Sequence, residues 1–220
     1  MVKEKHTHQK YKSVFLFIEG GGDDASLKAQ LRDGFSKFFG KTDFKTRRPK
    51  IVAGGGRNNT YDLFCSKVPQ GDLCILLVDS EELVAENCSS AWEHFKNREG
   101  DKHWMKPANA GDDDAHMMVC CMESWFLADR EKLRRYFGQG FKDAKLPNTA
   151  KGIENVSKND VLGDLKRATK ECKTKFIYDK GSHSFDLIGQ IDPERVDQAG
   201  PWTKKLFDKL RETCQVSRKS

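Results

Sequence analysis

Short apolar runs alternate with longer amphipathic stretches along the first 137 residues of the chain. Four of these runs have the length of buried β-strands. They cover residues 13–18, 50–53, 72–78 and 116–122. The stretches between them place apolar residues at helical spacing, which predicts helices. We expect those helices over residues 26–39, 61–67, 87–98 and 124–137.

This alternation predicts an α/β fold with a mostly parallel sheet and helices on both faces. The run DLCILLV at 72–78 is continuously apolar, as expected for a strand that helices cover on both sides. Residues 160–172 and 202–214 predict two further helices with no strand between them. We therefore expect a flexible N-terminal arm over 1–12, an α/β core over 13–150 and a helical C-terminal extension over 151–220 that packs on the core.

The composition indicates a globular protein of a reducing compartment. No apolar run approaches the roughly 18 residues that a membrane helix needs, so we expect no membrane association. The seven cysteines are odd in number and form no CxxC pair. Several lie inside apolar runs, which favours reduced thiols and a cytoplasmic location. The net charge of +6 permits nucleic acid as a substrate without requiring it.

Acidic residues follow the first and the third predicted strand. Glu19 opens the turn EGGGDD, and Asp79 opens DSEE, with Glu81 two residues further on. The carboxyl ends of parallel strands meet at one edge of an open α/β sheet, where ligand sites form. Converging carboxylates repel one another, and Mg²⁺ relieves that repulsion. The chain lacks the complete GxxxxGK[ST] and GxGxxG motifs, so we interpret the glycine turn as a metal cradle with room for a substrate phosphate.

Two further acids are candidate ligands of the same metal. Glu123 follows the fourth strand, and Asp23 lies in the glycine turn. Each also has a simpler interpretation, since Glu123 suits a helix N-terminus and Asp23 or Asp24 suits a helix N-cap. Glu81 equally suits the solvated first turn of a helix. The two acids placed directly at the strand ends are harder to explain in this way, because a charge there is costly without a partner.

Three basic residues are candidates for contacting phosphate. Arg57 follows a second glycine turn, AGGGR, and a guanidinium group binds phosphate with two parallel hydrogen bonds. Lys180 and His183 lie in YDKGSHSF, which we expect to be a polar turn between helices. A cation beside a metal site stabilises the charge that develops in phosphoryl transfer. All three also fit ordinary surface residues.

The chain resembles a Toprim-like family of short bacterial proteins, a conserved domain of unknown function, over about residues 14–210. The resemblance lies in IEGGGD, LRDGF, AGGGR, LLVDSE, MMVCCMESWFLAD and YDKGSHSF. The Toprim module of topoisomerases, primases and overcoming-lysogenization-defect-type nucleases carries a glutamate after its first strand and a DxD pair after its third. Glu19 matches that glutamate. Asp79 and Glu81 match the pair, with Glu in place of the final Asp.

The resemblance implies a nuclease that depends on Mg²⁺ or Mn²⁺ and cleaves DNA or RNA. It assigns metal binding to Glu19, Asp79 and Glu81, with Glu123 as a fourth acid, and it offers Arg57 and Lys180 as phosphate contacts. Relatives with such a Toprim domain are often encoded beside an ABC-type or recombination-repair-type ATPase in phage-defence systems such as abortive infection L. The resemblance therefore also implies an ATPase partner and a toxic antiviral effector.

Two other functions stay open at this point. The chain could be a non-catalytic subunit that binds an ATPase or nucleic acid, and metal binding without turnover would favour that function. It could also be a receiver-like phosphoacceptor domain, in which a small phosphodonor would modify Asp79. The sequence leaves the oligomeric state open, a homo-oligomer included.

Overall fold

The computed structural model describes residues 13–44 and 48–214, so the expected arm over 1–12 lies outside the described residues. Within these ranges the chain forms four strands and eight α-helices. The strands are β1 (Val14–Glu19), β2 (Lys50–Gly55), β3 (Leu73–Asp79) and β4 (Ala115–Met118). The helices are α1 (Ala25–Phe39), α2 (Arg57–Lys67), α3 (Ala91–Asn97), α4 (Arg130–Phe137), α5 (Lys158–Thr169), α6 (Lys180–Gln190), α7 (Pro193–Asp197) and α8 (Pro201–Cys214).

The strands form one parallel sheet in the order β2-β1-β3-β4. In its centre, Leu16 pairs with Ile51 of β2 on one side and with Ile75 of β3 on the other. Strand β3 is buried along its whole length, in agreement with its continuously apolar sequence. Because all four strands run in one direction, their carboxyl ends lie at the same edge of the sheet, which is where the acidic turns were predicted.

Hydrophobic clusters cover both faces of the sheet, because successive side chains of a strand point to opposite sides. Leu16 packs into the cluster that contains residues of α1, α5, α6 and α8. Its neighbour Phe17 packs with Phe64 of α2 and Phe95 of α3 on the other face. The predicted α/β fold with a parallel sheet and additional C-terminal helices is thereby confirmed.

No helix in the described ranges is long and apolar enough to cross a membrane.

The helix predicted over 124–137 is divided into two elements. A 3₁₀ helix, Met122–Ala128, is followed by α4 after a break at Asp129. Asp129 leaves the helical region, with φ −127° and ψ 65°, and its side chain accepts a hydrogen bond from the Lys132 N–H group at 3.1 Å. An aspartate in this position acts as an N-cap, so α4 starts anew behind it.

The motif YDKGSHSF is not a turn between helices, as the sequence had suggested, but contains the start of α6 at Lys180. Helix α6 packs directly against α1. A Cβ atom on Gly34 of α1 would lie 2.2 Å from the Phe185 carbonyl oxygen of α6, so only glycine permits this approach. The polar residues of the motif concealed the apolar face that Leu187 and Ile188 give the helix.

Candidate functional site

The glycine turn after β1 determines the position of Glu19 at the edge of the sheet. Glycines 20–22 have φ values of 138°, 84° and 50°, in the region that favours glycine. The Gly20 N–H group donates a hydrogen bond to the Gly55 carbonyl at 2.8 Å, which holds the turn against the end of β2. The chain can therefore reverse directly behind Glu19 and leave this side chain at the carboxyl end of the strand.

The acids at the end of the turn have separate roles. Asp24 is the N-cap of α1, since its side chain accepts a hydrogen bond from the Leu27 N–H group at 2.9 Å. Asp23 is exposed, and within the described ranges it takes part in no hydrogen bond or ion pair. The capping interpretation therefore applies to Asp24, and Asp23 as a metal ligand stays a prediction.

Arg57, the first residue of α2, fixes Glu19 in place. Its Nη1 atom donates to Glu19 Oε2 at 2.9 Å and to the Asp79 carbonyl oxygen at 2.5 Å. Its Nε and Nη2 atoms donate to the two carboxylate oxygens of buried Asp101, at 2.8 Å and 2.7 Å. The guanidinium carbon also lies 4.9 Å from the ring centroid of Trp104. Arg57 thus directs these donors at protein acceptors and positions Glu19, while its expected contact with phosphate stays a prediction.

Asp79 ends β3 and is buried beside Glu19. The Asp79 N–H group donates to Glu19 Oε2 at 3.2 Å, and Asp79 Oδ1 accepts a hydrogen bond from the Met122 N–H group at 2.8 Å. Burial, followed by the charges of Glu19 and Glu123, raises the pKa of Asp79 well above its ordinary value. A bound cation would strongly stabilise the ionised form of Asp79, because its positive charge offsets both the cost of burial and the repulsion from Glu19 and Glu123.

Glu123 lies in the 3₁₀ helix behind β4, and its side chain is fully buried. Its Oε1 atom accepts hydrogen bonds from the hydroxyl groups of Tyr178 at 3.0 Å and Ser184 at 3.1 Å. Its Oε2 atom has no hydrogen-bond partner among the described residues. The sequence analysis did not identify Tyr178 and Ser184, although both belong to the motif YDKGSHSF, which was the available signal.

Lys180, at the start of α6, brings a positive charge to both carboxylates. Its Nζ atom lies 3.7 Å from Glu123 Oε2 and 4.0 Å from Asp79 Oδ2. Burial alone would lower the pKa of Lys180, but the charges of Glu123 and Asp79 outweigh burial and raise it. The side chain is 54% exposed, so the ammonium group also faces solvent. The structure therefore places Lys180 within the predicted acidic site.

Glu81 is held by a lysine that the sequence analysis missed. Glu81 has a left-handed backbone, with φ 69°, and its Oε2 atom accepts a hydrogen bond from Lys158 Nζ of α5 at 2.5 Å. Burial opposes ionisation of Glu81, but the hydrogen bond and charge of Lys158 prevail and lower its pKa. No local pattern marks Lys158, because its partner lies 77 positions away in the sequence.

His183 is buried and packs against a group of aromatic rings. Its ring is buried, with centroid distances of 5.6 Å to Phe137, 5.9 Å to Tyr178 and 6.2 Å to Tyr136. Its Nδ1 atom accepts a hydrogen bond from the Asp179 N–H group at 2.9 Å. This placement indicates that His183 packs against the aromatic rings and accepts a backbone hydrogen bond at the start of α6, while its expected contact with phosphate stays a prediction.

The fit of a metal to this site depends on how many ligands the protein must supply. Within residues 13–44 and 48–214, no three His, Cys, Asp or Glu side chains converge closely enough to hold a metal on their own. Asp79 and Glu123 nevertheless each direct one oxygen at the same ammonium nitrogen. Mg²⁺ usually keeps several waters and takes only one or two carboxylates. The donor set therefore fits a hydrated Mg²⁺ or Mn²⁺ ion in place of the Lys180 ammonium group.

Comparison with known proteins identifies one family. The family model described as a domain of unknown function, DUF4276, matches residues 18–211. The matched region covers most of the chain and contains every residue of the site from Glu19 to Lys180. No curated protein and no solved structure matches the chain significantly. The chain belongs to the DUF4276 family.

Proposed function

We propose that this protein is a metal-dependent nuclease that hydrolyses phosphodiester bonds of DNA or RNA. One observation carries the proposal: Asp79 Oδ2 and the unpartnered Glu123 Oε2 both face one ammonium nitrogen at the carboxyl edge of a parallel sheet. Ligand sites of open α/β sheets form at this edge. The resemblance to Toprim nucleases supports the same function, since the matching acids lie here.

Asp79 and Glu123 would hold the metal, and neighbouring groups fix both of them. Met122 orients Asp79 through its N–H group, while the hydroxyl groups of Tyr178 and Ser184 orient Glu123. Side chains that are held in this way lose little freedom when a ligand binds. When bound, such a metal activates a water molecule and stabilises the charge on the leaving oxygen.

Glu19 is the candidate general base. Burial raises its pKa, although the charge of Arg57 opposes that effect, and a raised pKa suits a carboxylate that accepts a proton near neutral pH. Arg57 and the Asp79 N–H group hold its Oε2 atom, which fixes the direction of the carboxylate. Lys180 is half-exposed and can pair with a substrate phosphate once a metal has taken over the two carboxylates.

The cellular role extends this proposal beyond the site. We propose that the nuclease is an antiviral effector that works with an ABC-type or recombination-repair-type ATPase, as the resemblance implies. Copurification with the product of a neighbouring ATPase gene tests the partnership. The alternative, a non-catalytic subunit, predicts the same complex but no turnover.

Cleavage assays test the reaction itself. Purified protein with Mg²⁺ or Mn²⁺ is given supercoiled plasmid, single-stranded DNA and total tRNA. We expect cleavage by the wild type and by the control Asp62→Asn, which changes an exposed acid on α2. Glu19→Gln should slow cleavage by about 100-fold or more, and Asp79→Asn should abolish it. The absence of cleavage, even with the ATPase added, would contradict the nuclease and favour the binding subunit.

A further inference from the structure

The proposed nuclease leaves one surface segment unexplained. Residues 166–180, which we call the basic segment, run from the end of α5 to the first residue of α6. Against two acids, Glu171 and Asp179, the segment carries six basic residues. These are Lys166, Arg167, Lys170, Lys173, Lys175 and Lys180. The segment therefore has a net positive charge and ends at Lys180, the lysine that faces Asp79 and Glu123.

Phe176 projects from the middle of this segment. Its side chain is 69% exposed, and it is the only exposed Phe, Trp or Tyr in the described ranges. The neighbouring Ile177 is also exposed. Phe176 has φ 58°, a conformation that side chains with a Cβ atom rarely adopt. Backbone strain of this kind persists where the surrounding structure fixes it, and it concentrates at functional positions.

The structure fixes the chain immediately behind Phe176. The Tyr178 N–H group donates a hydrogen bond to the buried Thr169 Oγ1 atom at 2.7 Å, and the Tyr178 hydroxyl group reaches Glu123. An extended chain covers at most about 3.6 Å per residue, so the four-residue step from Phe176 to Lys180 spans at most about 14 Å. Phe176 is therefore an anchored aromatic residue at the rim of the candidate site.

The lysines beside Phe176 are available for a ligand. Lys170 and Lys173 are exposed, and no ion pair within residues 13–44 and 48–214 engages either of them. Lys175 lies 3.8 Å from Asp186, in a half-exposed pair. Unpaired cations around an exposed aromatic ring are complementary to a polyanion that offers flat rings. Nucleic acid is the ligand that combines these two properties.

We propose that the basic segment binds single-stranded nucleic acid, with Phe176 stacking on a base and with Lys170 and Lys173 contacting backbone phosphates. The inference rests on the proposed function, because it names single-stranded DNA or RNA as the substrate class of that nuclease. A duplex keeps its bases stacked on one another, whereas a single strand can place a base on an aromatic side chain. The segment then directs the strand to Lys180 and the acidic site.

Binding is measured by fluorescence anisotropy in EDTA, which prevents metal-dependent cleavage. The probes are labelled oligo(dT), oligo(rU) and a blunt DNA duplex, each about 15 nucleotides long. We expect tighter binding of a single strand than of the duplex, and the two single strands decide between DNA and RNA. Phe176→Ala should weaken binding by about fivefold or more, whereas Phe176→Trp should retain it. Lys170→Ala/Lys173→Ala should make the slope of log K against log salt concentration shallower by about 1.4, since each phosphate contact on a single strand contributes about 0.7.

Matched controls change similar residues outside the basic segment. Met105→Ala removes another exposed apolar side chain, and Lys96→Ala/Lys204→Ala removes two exposed lysines, so both should bind like the wild type. Thermal unfolding verifies that each variant is folded. Unchanged affinity of Phe176→Ala, equal affinity for the duplex, or no binding of any probe would overturn the inference.

The anisotropy and the cleavage assays separate this inference from the proposed function. Binding that depends on Phe176, without cleavage under any metal, would support the inference and contradict the nuclease. If neither cleavage nor binding changed in Phe176→Ala, the result would support the nuclease and contradict the inference.

Discussion

Lys180 Nζ lies 3.7 Å from Glu123 Oε2, a fully buried carboxylate oxygen that receives no hydrogen bond within the described ranges. The ammonium group neutralises the carboxylate through charge alone. A buried charge that lacks complete hydrogen bonding costs stability. A cation that binds both Glu123 and Asp79 more closely than Lys180 does would therefore stabilise the two carboxylates. In the metal-free protein, the incompletely paired carboxylates lower the free energy of unfolding.

Asp79→Asn should stabilise the metal-free protein. The pKa of Asp79 is raised well above its ordinary value by burial and then by Glu19 and Glu123, so the folded state binds this proton more tightly than the unfolded state. The stability that Asp79 contributes therefore falls as the pH rises from about 4 toward neutral. We expect a melting temperature about 2–4 °C higher for Asp79→Asn in EDTA at neutral pH, and a smaller difference near pH 4. The exposed control Asp62→Asn should melt like the wild type at both pH values, and a less stable Asp79→Asn would contradict this prediction.

Arg57→Ala should be strongly destabilising. Among the described residues, the substitution leaves Asp101 paired only with Arg98, 3.0 Å away, and it removes the guanidinium donor of Glu19. Breaking a buried ion pair costs about 3–5 kcal/mol in the free energy of unfolding. Urea unfolding measures this change. Arg134→Ala is the matched control, since Arg134 is 59% exposed and lies 3.7 Å from Asp143, and it should change stability by less than about 0.5 kcal/mol. An Arg57→Ala protein as stable as the wild type would contradict this prediction.

His116 should make the protein sensitive to acid. This residue of β4 is buried and donates from Nε2 to the Asp113 carbonyl at 2.9 Å, and burial lowers its pKa to about 4. The unfolded chain takes up the proton below about pH 6.5, whereas the folded chain does not, so stability is lost as the pH falls from about 6.5 to about 4. The loss should reach about 3 kcal/mol.

Urea unfolding across that pH range measures the contribution of His116. His116→Gln keeps a hydrogen-bond donor and should show a flatter pH profile, whereas His103→Gln, at an exposed position, should follow the wild type. Identical profiles for His116→Gln and the wild type would assign the acid sensitivity to other groups.

Local sequence signals predicted the elements that depend on local chemistry. The strands could be identified because β1 and β3 are short apolar runs that end in Glu19 and Asp79. An acid at the end of a buried strand is costly, and this cost distinguished both residues from surface acids. The N-cap of α1 could be assigned only to Asp23 or Asp24, because both stand immediately before the same helix.

The remaining site depends on contacts between distant parts of the chain. Tyr178 and Ser184 reach Glu123 across 55 and 61 positions, and Lys158 reaches Glu81 across 77. No periodicity encodes such pairs. The same reason explains Arg57, whose sequence suggested a free cation but whose partner Asp101 lies in a different part of the fold.

Manganese binding tests the central claim most directly, since Mn²⁺ replaces Mg²⁺ at oxygen sites and is detected by electron paramagnetic resonance. Titration of the wild type should reveal a saturable site. Asp79→Asn and Glu123→Gln should lose it, while Lys180→Met should bind Mn²⁺ more tightly because the competing ammonium group is gone. Asp62→Asn should bind like the wild type. The absence of saturable binding in the wild type, or unchanged binding in both Asp79→Asn and Glu123→Gln, would contradict a metal site at these two carboxylates.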